Sequence, residues 1–192
     1  MKGTFYFLIK PKTTRYNNTK KIGDKELILN SEVFNHKYIS RQAIVLGLPV
    51  EFKTEIKIGD EVIVHHNVFR RWHDARGKEK NSGNFILEDL YKISFDQIFA
   101  YKRNNKWHAL EGYSFIKPIE NKNGYEANQI GIIKYSDGSF KKGELVGYHP
   151  AGEYEFIIDG ERFYRVKNNF IEIKYEYQGN EKEYNPRWTQ SS

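Results

Sequence analysis

The chain has 192 residues, a formal net charge of +6 and no cysteine. Without cysteine it cannot form a disulfide framework or use a thiolate, and a reducing compartment suits it. No apolar run reaches the roughly 18 residues that a membrane span needs, and the N-terminus lacks a signal-peptide pattern. We therefore expect a soluble cytoplasmic protein, in the host cytoplasm if its origin is viral.

The composition predicts an all-β fold. Aromatic residues make up 16% of the chain and prolines number only 5, while isoleucine and valine recur in short alternating runs. Long segments with helical periodicity and caps are hard to find. Such a pattern is typical of strands that bury one face.

Three sequence motifs occur twice in the same order. The pairs are Ile-Lys-Pro at 9–11 and 116–118, Lys-x-Gly-acid-x-Val at 57–62 and 141–146, and an aromatic and basic segment at 90–98 and 163–171. Ordered self-similarity of this kind predicts two copies of one β-unit.

The separation between paired motifs falls along the chain. It is 107 residues for the first pair (9 to 116), 84 for the second (59 to 143) and 73 for the third (98 to 171). The first copy therefore carries two insertions that the second lacks. Loops on a repeated scaffold are free to specialise, so we expect function in these insertions.

The first insertion follows a strand that ends at Pro11, which cannot donate to a central ladder. It covers about 12–37, is rich in Thr, Asn, Lys and Gly, and contains one apolar island, Leu27, Ile28 and Leu29. Its composition fits either a mobile loop with a docking segment or a hairpin whose island joins the core. In the free protein we expect a poorly ordered or extended segment.

The second insertion, about 69–83, is the most basic stretch of the chain. Its candidate contact surface consists of Arg70, Arg71, Trp72, Arg76, Lys78 and Lys80. These cations could contact phosphates while the indole stacks on a base. A solvated loop or a contact between subunits explains the same residues, and the rest of the chain shows no matching basic and aromatic face.

Neither a metal site nor a catalytic site is predicted. His65, His66, His73 and Asp74 are close in sequence, but neighbouring histidines on a strand point to opposite faces and no cysteine or spaced carboxylate completes a tetrahedral set. Serines fall in turns or at the terminus, and no glycine-rich phosphate loop is present. We expect no cofactor and no enzymatic activity.

The domain boundary is expected near 104–110. This gives a first unit at 1–107, a second, reduced unit at 108–175 and a polar C-terminal tail at 176–192. Within the second unit, Asp159 and Gly160 lie between apolar alternations and predict a two-residue hairpin turn.

In this order the segments resemble the GroES-like co-chaperonins, small β-barrel subunits that form a ring capping a chaperonin. That family has an N-terminal strand, a mobile loop with an apolar tripeptide, a Val- and Ala-rich strand, a Lys-Val-Gly-Asp turn and an Asp-Ile-Leu-Ala segment. The matching segments here are Phe7 to Lys10, Leu27 to Leu29, Ala43 to Gly47, Lys57 to Val64 and Asp96 to Ala100.

The resemblance implies two GroES-like β-barrel units in tandem, as in a phage-type variant. It implies a co-chaperonin that self-associates into a ring and closes a GroEL-like chaperonin chamber, with Leu27, Ile28 and Leu29 as the binding segment. The run from Gly47 to Thr54 is short for a roof hairpin, which the basic insertion could replace. The alternatives are a viral structural or assembly protein that reuses the barrel and a nucleic-acid-binding barrel.

Overall fold

The computed structural model describes residues 2–16, 19–28, 39–176 and 179–186. Within them almost all regular structure is β, which confirms the prediction of a β fold. The strands are β1 (Phe7–Pro11), β2 (Thr19–Ile22), β3 (Lys25–Ile28), β4 (Gln42–Gly47), β5 (Glu61–Val64), β6 (Arg71–His73), β7 (Glu79–Asn81), β8 (Phe85–Leu87), β9 (Leu90–Ile93), β10 (Ile98–Arg103), β11 (Lys106–Ala109), β12 (Tyr113–Glu120), β13 (Glu126–Ser136), β14 (Leu145–Tyr148), β15 (Glu153–Ile158), β16 (Glu161–Lys167) and β17 (Ile171–Tyr175).

The chain divides into two compact units, residues 1–106 and 107–192. The division falls inside the stretch 104–110 that the sequence marks as a boundary. No helix among the described residues is long and apolar enough to cross a membrane.

The first sheet has the strand order β11-β10-β5-β4-β1-β9-β8 among the described strands. The pairs from β10 to β8 are antiparallel. Burial alternates along β4, where Ala43, Val45 and Gly47 face inward and the residues between them are half-buried. This period of two places one face of the strand on the core, as its alternating sequence predicts.

The second sheet has the order β15-β16-β12-β13-β14-β17. Its central strand β12 is buried over six consecutive residues, Ser114 to Ile119. The turn between β15 and β16 consists of Asp159 and Gly160, both with positive φ, as predicted.

Both sheets follow the same strand order. The first contains β8-β9-β1-β4-β5-β10 and the second β15-β16-β12-β13-β14-β17, and the corresponding strands also come in the same sequence along the chain. A short 3-10 helix precedes the last strand in each, at Phe95–Gln97 and at Asn168–Phe170.

The strand register is also the same in both sheets. Ile9 lies opposite Val45 and Ile116 lies opposite Ile133, and in both pairs the register shifts immediately before the isoleucine. A bulge at one position in a ladder fixes which side chains face the core on either side of it. The two units therefore bury side chains at corresponding positions.

The corresponding core positions are occupied by apolar side chains. In the second unit a buried cluster is formed by Ile116, Ile133, Val146, Tyr148 and Val166. The residues at the same register positions of the first unit, all fully buried, are Ile9, Val45, Val62, Val64 and Ile93.

The Lys-x-Gly-acid motif forms the same turn in both units. Gly59 and Gly143 have φ values of 90° and 93°, a conformation that favours glycine. Asp60 and Glu144 each accept a hydrogen bond from the backbone N–H of the lysine three residues earlier, at 2.8 and 3.0 Å. The acid thus closes the turn that starts β5 or β14.

Two connections distinguish the first unit from the second. Residues 12–41 join β1 to β4 and contain the β2–β3 hairpin, whereas residues 121–125 suffice between β12 and β13. Residues 65–84 join β5 to β8 and contain the β6–β7 hairpin, whereas residues 149–152 suffice between β14 and β15. Both hairpins are therefore additions to a six-stranded plan that the second unit completes without them.

The end of the described chain packs along β12. The Tyr184 N–H donates to the Pro118 carbonyl (2.8 Å), and the Glu120 N–H donates to the Lys182 carbonyl (2.7 Å). The Asn185 amide oxygen accepts a hydrogen bond from the Arg162 N–H at 3.0 Å. Residues 182–185 of the predicted polar tail therefore form an attached arm.

Candidate functional site

The β2–β3 hairpin carries exposed apolar side chains. Its two-residue turn is Gly23-Asp24, and its register places Ile22 opposite Lys25 and Lys20 opposite Leu27. Side chains of opposite residues, and of residues two apart on one strand, lie on the same face, so Ile22 and Leu27 share a face. Both are exposed, Leu27 at 52%.

The predicted binding segment is only partly described. Leu27 and Ile28 close β3, where Ile28 lies opposite Thr19, and Leu29 lies outside the described residues. The sequence left a mobile loop and a core hairpin open. Residues 19–28 are paired strands, yet Leu27 does not join the core.

The two ends of the connection between β1 and β4, which we call its root, contact each other. Tyr16 is buried and forms an antiparallel bridge with Ile39. The Ser40 N–H donates to the Arg15 carbonyl at 3.1 Å. These contacts bring the two ends of the long connection together next to β4.

Arg15 joins this root to the start of the second insertion. Its Nε donates to the Phe69 carbonyl (2.7 Å) and its Nη2 donates to the Arg70 carbonyl (3.1 Å). The guanidinium lies over the rings of Phe85 (5.7 Å) and Tyr91 (5.5 Å). Burial lowers the pKa of Arg15 and raises the pKa of Tyr91. Carbonyl oxygens and aromatic faces thus take the place of water around a half-buried cation.

Tyr16 adds a second link to the same segment. Its hydroxyl accepts a hydrogen bond from the Arg71 N–H at 2.7 Å, and the Arg71 guanidinium lies 4.6 Å from its ring centroid. We call the contacts of Arg15 and Tyr16 with residues 69–71 the root joint. The root joint connects the two insertions at their bases.

The β6–β7 hairpin begins from the core. Val68 and Phe69 are fully buried, and the Phe69 ring meets Tyr91 edge to face at 4.7 Å. The Ser82 hydroxyl donates to the Val68 carbonyl at 2.6 Å, which closes the base of the hairpin. The second insertion, for which the sequence allowed a solvated loop, is therefore a hairpin anchored in the core.

Asp74 shapes the tip of this hairpin. Its Oδ1 accepts hydrogen bonds from the backbone N–H groups of Arg76 and Lys78, both at 3.0 Å. Its own N–H donates to the Lys78 carbonyl (2.9 Å), and its carbonyl accepts from the Gly77 N–H (2.9 Å). A carboxylate that binds turn amides holds the tip in one conformation.

Three of the predicted contact residues are used within the hairpin. Arg71 pairs with Glu79 at 3.4 Å, and Lys80 lies 3.7 Å from Asp74. Arg70 supplies its carbonyl to the root joint and is half-buried. The Arg71 and Lys80 cations thus pair with acids of the hairpin itself, whereas the Arg70 Nε is buried and has no hydrogen-bond partner among the described residues.

The remaining three predicted contact residues differ in exposure. Trp72 is half-buried, so only part of its side chain is open to stacking. Arg76 and Lys78 are exposed at the tip, and within the described part of the chain neither side chain has a hydrogen bond or an ion pair. Arg76 and Lys78 are therefore the two cations of the predicted six-residue surface that are exposed and have no ion pair within the described part of the chain.

The histidines are placed differently from the prediction. His65 and His66 follow the end of β5 in a turn, and their rings stack at 4.3 Å, so the argument from opposite strand faces is wrong. Among the described residues, no three His, Cys, Asp or Glu side chains are grouped closely enough to hold a metal ion.

An aromatic patch lies elsewhere on the first unit. The rings of Phe52 and Phe95 contact each other and the buried ring of Phe7, with centroids 6.0 to 6.3 Å apart. Phe5 and Val50 are exposed beside them, and the Val50 N–H is held by nearby backbone carbonyls at 3.0 and 3.1 Å.

The second unit is polar at the corresponding positions. Ser114 and Asn168 replace Phe7 and Phe95, and the serine hydroxyl donates to the Asn168 amide oxygen at 2.7 Å. Asp137 accepts hydrogen bonds from Asn168 (2.9 Å) and the Gly112 N–H (2.6 Å). Burial alone would raise the pKa of Asp137, but the hydrogen bonds to its carboxylate outweigh burial and lower it. The fold therefore does not need aromatic side chains here.

The root joint was not predicted from the sequence. Its one local signal is Tyr16, the only aromatic residue between Pro11 and Leu27. A single aromatic side chain in a polar segment indicates that part of the segment packs against something. Its partner lies 55 residues away, so no local motif identifies it.

No protein-family model, curated protein or solved structure matches the chain.

We predict that Tyr16→Phe loosens the root joint. The variant keeps the ring beneath the Arg71 guanidinium but removes the acceptor of the Arg71 N–H. The free energy of unfolding should fall by about 1 kcal/mol, and the Arg71 amide should exchange its hydrogen faster. Denaturant titration and amide exchange by NMR measure the two effects.

The matched control for this variant is Tyr125→Phe, at a side chain that is 70% exposed. It should change neither quantity. An Arg71 amide that exchanges at the wild-type rate in Tyr16→Phe would contradict the role given to the hydroxyl.

Proposed function

We propose that this protein is a co-chaperonin that caps a chaperonin folding chamber and docks through its β2–β3 hairpin. The observation that carries the proposal is the pair of exposed apolar side chains, Ile22 and Leu27, on one face of that hairpin. Leu27 lies in the segment that matches the apolar tripeptide of GroES-like proteins. Exposed apolar side chains on such an element can bind an apolar groove between helices of a chaperonin.

The size of the hairpin suits a reversible cap. A few apolar side chains give weak binding at each site, and ordering a long connection costs further free energy. Several copies acting together restore avidity through effective concentration. A cap that must bind and leave in each cycle needs this combination.

The proposal takes the two units as tandem copies of one GroES-like unit. Its support is the shared strand order, the shared register and the same Lys-x-Gly-acid turn in both units. The segments that resemble the family at 7–10, 43–47, 57–64 and 96–100 include strands β1, β4 and β5 of the first unit. The second unit, with short connections, serves as a scaffold.

Nucleic-acid binding has weaker support. A protein that holds single strands needs a basic track and exposed aromatic side chains. Only Arg76 and Lys78 of the predicted basic surface are available, and Trp72 is half-buried. A viral assembly role without a chaperonin partner gains no specific support from these contacts.

Self-association into a ring is part of the proposal, because the co-chaperonins that the chain resembles form rings. The aromatic patch around Phe52 and Phe95 supports it, since the second unit folds with polar residues at the same place. Exposed apolar patches of this kind mark contact surfaces.

We predict that changing Leu27, Ile28 and Leu29 together to Ser weakens binding to a purified chaperonin in the presence of nucleotide by at least about tenfold. The loss follows from removing the apolar anchor from a hairpin that contributes nothing to the core at Leu27. Co-sedimentation over a concentration series measures the binding.

The matched control is Leu87→Ser on β8, since Leu87 is 54% exposed, close to the 52% of Leu27. It should bind like the wild type. A triple variant with wild-type affinity, or a wild type that binds no chaperonin, including that of its source organism, would rule out the proposal.

We also predict that Phe5→Ser combined with Val50→Ser shifts the protein from assembled species toward the 22.8 kDa monomer. The variant removes exposed apolar surface that assembly would bury. Sedimentation velocity at matched concentrations gives the distribution, with Tyr125→Ser as the control. If the wild type is monomeric, or if the double variant assembles like the wild type, the patch is not an assembly surface.

A further inference from the structure

The β6–β7 hairpin has the properties of a docking element. The second unit joins β14 to β15 through residues 149–152, so the sheet does not need a hairpin at this position. The first unit nevertheless anchors one on the buried Phe69 and shapes its tip with Asp74. A rigid tip has little use in a solvated loop, but it lowers the entropy lost when the tip binds a partner.

The charge of this hairpin faces outward at its tip. Residues 69–83 contain five Lys and Arg and two Asp and Glu, which gives a net charge of +3 out of +6 for the whole chain. The internal pairs of Arg71 with Glu79 and Lys80 with Asp74 account for both acids. The three cations left are Arg70, which is half-buried at the base of the hairpin, and Arg76 and Lys78, which are exposed at its tip and can face a partner.

The root joint limits how far apart the two hairpins can be. Tyr16 contacts Arg71, the first residue of β6, and β2 begins three residues after Tyr16. Three residues span at most roughly 10 Å, so the base of β2 stays within about that distance of the Tyr16 position. A protein that binds Leu27 therefore also comes within reach of the second hairpin.

We propose that the β6–β7 hairpin is a second docking element, in which Arg76 and Lys78 pair with carboxylates on the protein that receives Leu27. This inference rests on the proposed function and names a further property of the partner: an acidic surface next to its apolar site. The apolar hairpin supplies affinity, and the cationic tip supplies orientation and a faster, salt-dependent encounter.

An acidic protein surface fits these contacts better than a nucleic acid does. Two free cations can match two carboxylates, whereas a nucleic-acid site commonly neutralises six or more phosphates. Trp72 is half-buried, so only part of its side chain is open to a base. Arginine also binds a carboxylate through two parallel hydrogen bonds, which orients the tip.

The test is charge reversal at the tip of the full chain, Arg76→Glu with Lys78→Glu, measured as binding to purified chaperonin with nucleotide over a salt series. We expect binding about tenfold weaker than wild type at low salt. The difference should shrink as salt rises, because salt screens the contacts that the wild type makes.

The matched control is Lys122→Glu with Lys142→Glu, which changes the net charge by the same amount at two exposed lysines of the second unit. It should bind almost like the wild type. Arg76→Gln with Lys78→Gln removes the charges without adding repulsion, and it should give an intermediate loss if the Glu variant folds poorly.

The outcomes separate this inference from the proposed function. If the tip variants bind like the wild type at every salt concentration while the Leu27, Ile28 and Leu29 triple variant loses binding, the second docking element is wrong and the co-chaperonin proposal stands. If the wild type binds no chaperonin, both fail. Salt-sensitive binding to a single-stranded oligonucleotide that the Glu variant loses would then assign the tip to nucleic acid.

Discussion

The half-buried guanidinium of Arg15 is the contact on which the extra structure of the first unit depends. It donates to two consecutive carbonyls at the start of the second insertion and lies over two aromatic rings of the β8–β9 pair. These contacts offset part of the entropy lost when the described root of the 30-residue connection is ordered. Arg15 belongs to the first insertion and binds the second, so it links the two insertions into one module. The neighbouring Tyr16 adds a further hydrogen bond between them.

Sequence reasoning identified the elements that depend on local pattern. Alternation and composition predicted the β fold, and Asp159-Gly160 predicted a hairpin turn because only a few residue pairs adopt its positive φ angles. Contacts between distant segments left no such pattern. Arg15 meets its acceptors 54 and 55 residues away, and Arg71 meets the Tyr16 hydroxyl across 55 residues. The prediction that His65 and His66 point to opposite faces of a strand was wrong because β5 ends at Val64, before either histidine.

The two units share one strand plan but differ in their surface residues. Both bury an apolar cluster at corresponding register positions, so the strand plan itself is stabilised in the same way in each. At the place that corresponds to the aromatic patch, the second unit has polar residues, and Asn168 donates a hydrogen bond to Asp137 there. In the first unit, aromatic and aliphatic side chains at or beside the corresponding place remain exposed, and two hairpins are added. Under the proposed function this asymmetry is a division of labour, with docking and assembly on one copy and support on the other.

Hydrogen–deuterium exchange of the full chain, alone and bound to a chaperonin with nucleotide, tests the central claim most directly. The claim is that the β2–β3 and β6–β7 hairpins act together as one docking module. They are added to a six-stranded plan that the second unit also has. The account predicts new protection in residues 19–28 and 71–81 together, with no change in the corresponding connections at 121–125 and 149–152. Protection that is confined to the second unit, or to one hairpin without the other, would contradict it.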